Sequence, residues 1–230
     1  MHHKIWAVIP AAGSGSRFSK TALKQYQIIQ GKTVLEHTVS RLNDLPLAGY
    51  VLATSADDTV AKTLNLVQPS KAHFCVGGAE RVHSVLNALN YLSQIASADD
   101  LVFVHDAARP CVTQNCLNRL VNTAIQENSS AILAIPVRDT LKYVVQENAI
   151  EKTVSRDHLW QAQTPQISRL GILKHAIEKA LQDGMTITDE ASALEYVGEQ
   201  VKVVQGRSDN IKITYVDDLE LAKLILMAQN

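Results

Sequence analysis

The first stretch with chemical capacity is Pro10-Ala11-Ala12-Gly13-Ser14-Gly15-Ser16-Arg17. Its glycines and small residues let backbone N–H groups crowd around an anion without side-chain interference. Gly-Ser stretches also serve as plain turns, so the loop alone is a weak signal. Two familiar phosphate-binding patterns fail on the letters. A dinucleotide loop needs a third small residue where Phe18 stands. A Walker A loop needs Gly directly before its Lys, and Ser19 precedes Lys20. What remains is a small-residue loop with two cations attached, Arg17 and Lys24. Arg offers a rigid planar fork of donors and Lys a mobile point charge. Both suit a triphosphate whose charge grows during phosphoryl chemistry. Arg17 could equally be a surface cation, and Lys20 or Lys32 could take the part of Lys24.

A second group of residues stands at the ends of apolar runs. Leu101–His105 leads into Asp106-Ala107-Ala108-Arg109-Pro110. In open α/β sheets ligands bind outside the carboxyl ends of the strands. Asp106 there is a hard oxygen donor suited to Mg²⁺ shared with phosphates; a cap or turn is the alternative. Arg109 either pairs with a carboxylate or fixes the loop. His105 reads as a packed strand residue, since no second His stands at metal-site spacing. Gly77-Gly78-Ala79-Glu80-Arg81 follows another run and opens a helix containing Ser84. Paired glycines at a strand end permit close approach of a flat ligand such as a base. Arg138-Asp139-Thr140, Arg156, Gln163-Thr164-Pro165-Gln166, Thr188 and Lys212 add cations and hydroxyls. They would suit a second substrate carrying a phosphate and hydroxyls, but composition alone does not make them converge.

The elements that must position these groups follow from periodicity. Ile5–Ile9, Tyr50–Ala53, Lys71–Val76, Leu101–His105 and Ala131–Pro136 read as buried strands. Helical spacing lies between them, at Leu35, Val39 and Leu42, at Val82, Val85 and Leu89, and at Leu117, Leu120, Val121 and Ile125. Alternation of this kind predicts βαβ units and a largely parallel sheet with helices on both faces. It breaks near Arg138, where Leu141–Val145 and Ala149–Val154 read as a hairpin or arm inserted into the body. A lone two-stranded ribbon is marginal in water and needs a packing surface. Its own domain or a partner subunit would supply one. Beyond Pro165, helical spacing returns at Ile172, Ile177 and Leu181 and stops at Gly184. Thr188 is the expected N-cap of the next helix, Val201–Val204 and Ile211–Thr214 the expected strands, and Asp217 with Glu220 the expected capping box of the last helix.

The bulk numbers set the frame. The chain has 230 residues, 46% hydrophobic and 20% charged, enough for one domain spanning 1–230 with an insertion at about 138–157. A formal net charge of -1 gives no basic surface for nucleic acid. Cys75, Cys111 and Cys116 form neither a disulfide framework nor a CxxC pair and read as thiols of a reducing compartment. No apolar run approaches the roughly 20 residues that span a bilayer, so a cytoplasmic location is expected.

Taken together, PAAGSGSR, LKQY, LEHTV, GGAERVHSV, VHDAARP, PVRDTLK, TPQ, ITDEASALE and GRSDNIKIT resemble the 2-C-methyl-D-erythritol 4-phosphate cytidylyltransferases, in that family's order from Pro10 to Thr214. The resemblance implies a Rossmann-like, three-layer α/β nucleotide-binding domain with a mostly parallel central sheet. It implies a protruding β-arm, Arg138 to Asp157, that embraces the second subunit of a homodimer. The implied reaction joins CTP and 2-C-methyl-D-erythritol 4-phosphate, releasing pyrophosphate, in non-mevalonate isoprenoid synthesis. Carried over, Arg17 and Lys24 would be catalytic and Asp106 would take Mg²⁺. Ala11, Ala12, Gly13, Gly15, Gly78, Ser84, Ala107 and Lys212 would bind the nucleotide. Thr140, Arg156, Thr164 and Thr188 would hold the methylerythritol phosphate, the arm residues reaching across the dimer. Two departures stand out. Leu23 replaces the family's usual Pro before Lys-Gln-Tyr, and Ala79 replaces a side chain able to hydrogen-bond. A cytidylyltransferase for ribitol 5-phosphate, a sugar-nucleotide pyrophosphorylase using another base, and a non-enzymatic nucleotide-binding regulator are the rival readings.

Overall fold

The computed structural model describes residues 3–13, 18, 23–145 and 148–229. A seven-stranded sheet is ordered β11-β7-β10-β6-β1-β4-β5, with β1 Ile5–Pro10, β4 Gly49–Thr54, β5 Ala72–Val76, β6 Leu101–Val104, β7 Ser130–Pro136, β10 Trp160–Arg169 and β11 Val201–Gln205. Neighbours pair in parallel except β10, which runs antiparallel to both β6 and β7. The side-chain period of two divides each strand between two cores. Ala7 and Ile9, Tyr50 and Leu52, and Leu101 and Phe103 face helices α1 (Val34–Leu42) and α3 (Gln114–Gln126). Trp6 and Val8, Val51 and Ala53, and Val102 and Val104 face α2 (Arg81–Leu92), α4 (Leu170–Gln182) and α5 (Glu190–Tyr196). That is the three-layer α/β architecture the sequence predicts. Burial on both faces explains why these strands read as unbroken apolar runs.

Several local expectations are corrected. Trp160–Arg169, read only as a polar Gln-Thr-Pro-Gln motif before a helix, is the longest described strand. Gln163, Thr164, Gln166 and Ser168 are buried in it. Ile211–Thr214 is not a strand. It is held by a backbone bond from Ile213 N to Ala108 O, at 2.9 Å. The N-cap of α5 is Asp189, one residue beyond Thr188; it closes a reciprocal box with Ser192. The last helix, α6 (Asp217–Ala228), has no side-chain cap, and Asp217 with Glu220 does not form the expected box. Asp218 instead turns its carboxylate back to the Thr214 and Tyr215 N–H groups, both at 2.8 Å.

The insertion is a separate two-stranded ribbon of β8 (Leu141–Val144) and β9 (Ile150–Val154), paired from Leu141↔Val154 to Val144↔Ile150. Tyr143, Val144, Val145 and Ile150 are exposed on it. A short hairpin, β2 (Ile28–Ile29) and β3 (Lys32–Thr33), turns through Gln30 and Gly31 at φ 50° and 79°. It delivers the chain to the Thr33–Glu36 capping box of α1. All three cysteines are free, Cys111 and Cys116 buried and Cys75 half-buried. Among the described residues no helix is long and apolar enough to cross a membrane.

Candidate active site

At the carboxyl ends of β1 and β6 lies a cleft of about 560 Å³. It brings together Ala11, Ala12, Gly13, Lys24, Gly78, Ala79, Ser84, Asp106, Ala107 and Lys212. Residues up to 204 positions apart in the chain, Pro10 and Thr214, thus line one cavity. Arg17 and Gly15 lie outside the described residues.

The two glycines after β5 are set by close packing. A Cβ on Gly77 would stand 2.5 Å from the Ala12 Cβ, and one on Gly78 would stand 2.3 Å from the His83 Cβ. The strand-end loop therefore lies against both the Ala12 loop and α2, and no larger residue fits without displacing one of them. Ser84 Oγ accepts from Gly78 N at 3.0 Å, closing the turn. Its hydroxyl lines the cleft but is already engaged in holding the glycine backbone.

Lys24 opens a single 3₁₀ turn, Lys24–Tyr26, and its neighbours anchor that turn. Gln25 Nε2 donates to Ala11 O at 3.0 Å, and the Tyr26 hydroxyl donates to the Asp58 carboxylate. Lys24 Nζ donates to Ile213 O at 3.0 Å, which ties the β1 side of the cleft to the segment carrying Lys212. Leu23, at the position where the resemblance leads one to expect Pro, has φ −74°. That angle lies within the range a proline ring imposes, so the departure costs pre-organisation rather than geometry.

Asp106 sits at the centre of the charge. Its Oδ1 accepts from Arg81 Nε at 3.0 Å, and its Oδ2 from Lys212 Nζ at 2.9 Å and Arg109 Nε at 3.3 Å. Burial alone would raise its pKa. The charges of Arg81, Lys212 and Arg109 overcome that effect and hold the carboxyl far below the usual carboxylate range. Arg109 both pairs with this carboxylate and fixes its loop, because its Nη1 donates to Asn210 O at 2.7 Å.

Behind Asp106 runs a buried neutral relay. Arg109 O accepts from the His105 ring, since a carbonyl can only accept, so Nε2 carries the proton at 3.0 Å. Nδ1 is then the acceptor for the Thr164 hydroxyl at 2.9 Å. Thr164 Oγ1 in turn accepts the Asp106 N–H at 3.0 Å. His105 is fully buried, and that burial pushes its pKa down to about 4. This His is a structural group, as its strand position implies. Asn210 Nδ2 donates to Thr164 O at 2.9 Å, and Gln166 bonds Asp189 and Ala191 N, so β10 holds both flanking segments in place.

The structure does not place the acceptor-binding residues in the cleft lining. Thr164 is buried behind Asp106, and Thr140, Arg156 and Thr188 are exposed outside it. Arg81 and Glu190, which open helices in the sequence pattern and are not candidate site residues there, belong to the charged centre. Arg81 Nη1 and Nη2 donate to Glu190 Oε1 and Oε2 at 2.6 and 3.1 Å. The available signals were an Arg directly after a paired-glycine strand end and a carboxylate opening a helix. Nothing local joins two residues 109 positions apart.

A mostly parallel Rossmann-like sheet, a small-residue loop after its first described strand, and lysines meeting a carboxylate in one cleft define a nucleotidyltransferase-type α/β protein. Residues 5–228 match the family described as IspD: 2-C-methyl-D-erythritol 4-phosphate cytidylyltransferase, and the chain belongs to that family. It is 72% identical over 235 residues to the 2-C-methyl-D-erythritol 4-phosphate cytidylyltransferase of Acinetobacter baumannii (strain SDF), covering 100% of this chain and 99% of the relative. The enzyme of the same name from Aliivibrio fischeri (strain MJ11) is 44% identical, over 96% of this chain and 93% of its own. The crystal structure of the Francisella tularensis enzyme superposes with a TM-score of 0.84 at 38% identity, over 96% of this chain and 99% of that one.

Proposed function

We propose that the cleft between Ala11–Gly13, Gly78 and Lys212 is where CMP passes from CTP to 2-C-methyl-D-erythritol 4-phosphate. The convergence of Lys24, Lys212 and Asp106 on one cavity at the strand ends carries this reading. A phosphate oxygen of the acceptor attacks the α-phosphorus of CTP. The bond to the β-phosphate's bridging oxygen breaks, and its electron pair leaves with pyrophosphate. The attacking phosphate is already ionised near neutral pH, so the site needs no strong general base. It needs cations that offset repulsion between two anions and align them, and Lys24, Lys212 and Arg17 fill that role. Backbone groups of Ala11, Ala12, Gly13, Gly78 and Ala107, with Ser84, surround the nucleotide; the resemblance adds Gly15, which lies outside the described residues.

Mg²⁺ is a proposal within this reading. Among the described residues no cluster of three or more His, Cys, Asp or Glu could hold a metal. Asp106 is ionised, and its Oδ1 accepts a described bond only from Arg81, which leaves a lone pair. Three cations already compensate the carboxylate, so a metal ion fits only when it arrives with the anionic triphosphate. Mg²⁺ characteristically takes one or two carboxylates plus substrate phosphates. Held by Asp106 together with the substrate phosphates, it would offset developing charge.

The acceptor is assigned to Thr140, Arg156 and Thr188, with the arm residues supplied across a homodimer, and Thr164, buried behind Asp106, supports that side of the site through its bond to the Asp106 N–H. The apolar exposure of Tyr143, Val144, Val145 and Ile150 on an isolated ribbon supports that arrangement. The test is pyrophosphate release that requires both CTP and the acceptor. Nucleotide binding without release would make the chain a binding protein instead.

A further inference from the structure

We infer that Glu190 is a positioning residue for the transfer reaction, acting through the cleft-lining Arg81 on the carboxylate of Asp106; this rests on the reading of the cleft above. Arg81 is the first residue of α2, where a cation opposes the helix dipole. Helix stability therefore does not explain an Arg here, and its contacts do. One face of its guanidinium fork takes both Glu190 oxygens, at 2.6 and 3.1 Å, and Nε takes Asp106 Oδ1 at 3.0 Å. Glu190 is 3% exposed and is not among the cleft-lining residues. Both of its described hydrogen bonds come from Arg81. A carboxylate so placed cannot touch substrate. It locks the plane of the guanidinium, and the locked guanidinium fixes the direction of the Asp106 carboxylate. Lysine could supply the charge but not a planar fork spanning two carboxylates.

Arg81→Ala would leave a buried carboxylate unpaired and could fail to fold. Glu190→Gln is the better probe, because Gln keeps the volume but meets the fork with an N–H pair on one side. Helix α5 stays anchored in that variant, since Gln166 bonds Ala191 N and Asp189 independently. The experiment measures kcat, both KM values and the urea midpoint for wild type, E190Q, R81K, D106N and D106N/E190Q. E190Q and R81K should each lower kcat roughly tenfold, the worth of one charged hydrogen bond, with KM for CTP within about twofold. In the D106N background E190Q should have little further effect, as expected for residues acting through one group. A wild-type kcat in E190Q or R81K overturns the inference, as does a double variant whose loss is the product of the two single losses. Should D106N itself be inactive, R81K and E190Q decide it alone. A wild-type chain that fails to release pyrophosphate would fail the reading of the cleft rather than this inference.

Discussion

Replacing Thr164 with Val removes one hydroxyl and orphans two buried partners. The hydroxyl accepts the Asp106 N–H at 3.0 Å and donates to His105 Nδ1 at 2.9 Å. Thr164, His105 and Asp106 are 5%, 0% and 6% exposed, so water cannot readily replace it. Each buried group left without a partner costs about 1–3 kcal/mol, so the pair predicts a loss of about 4 kcal/mol. Thr164→Ser keeps the hydroxyl and sheds one methyl, which predicts about 1 kcal/mol. Urea unfolding at one fixed protein concentration measures both, with m unchanged if only the native state is affected. Equal losses in the two variants, or a Val variant within about 0.5 kcal/mol of wild type, would refute the relay. Acid probes the same relay without mutation. Burial holds His105 neutral, with its folded pKa pushed down to about 4 against about 6.5 unfolded. Below pH 6.5 the unfolded chain binds the proton first. This contribution is therefore complete above about pH 6.5 and lost as pH falls toward 4, by up to about 3 kcal/mol. The depressed Asp106 acts in a lower window, losing its contribution only as pH falls below about 4. A flat stability between pH 7 and 5 would contradict the neutral, buried His105.

Three further outcomes follow from the site. Lys24→Ala should lower kcat by about 10²-fold or more, on the order of 3 kcal/mol of transition-state stabilisation, and move the urea midpoint little; turnover at the wild-type rate would remove Lys24 from the mechanism. Asp106→Asn should weaken the dependence of rate on Mg²⁺, and an unchanged metal titration would count against its role as a ligand. Charging the ribbon with Tyr143→Glu and Ile150→Glu should convert the proposed homodimer to a monomer by light scattering and raise the acceptor KM. A dimer that persists in the variant, or a wild-type chain that is monomeric, would count against the arm as the interface.

How far the sequence could be read depends on whether each signal was local. The strands around Val8, Val51 and Val102 were legible because both faces are buried and every position is apolar. Helices α1 to α4 were legible because apolar residues recur at helical spacing, although Ile125 of α3 is exposed and, of Ile172, Ile177 and Leu181 in α4, only Ile177 is fully buried. Strand β10 was not, because Gln163, Thr164 and Gln166 are buried polar residues. Their partners are backbone and side chains of Arg207, Asp106, Asn210, Asp189 and Ala191, all distant in sequence. Ile211–Thr214 has the letters of a strand but joins no ladder, and it is held instead by its contacts with Ala108 and Lys24. At the site, Ala11 to Gly13, Lys24, Asp106 and Lys212 were found from residue type and resemblance and do share a cleft. Arg81 and Glu190 escaped notice because their significance is the geometry of a fork between helices.

The proposed function requires the cleft to select CTP and methylerythritol phosphate. The direct test crosses CTP, UTP, GTP and ATP with 2-C-methyl-D-erythritol 4-phosphate and ribitol 5-phosphate, measuring pyrophosphate released and the CDP-linked product formed. Efficient turnover is expected only for CTP with methylerythritol phosphate. Faster turnover with ribitol 5-phosphate, or with another nucleotide, would contradict it.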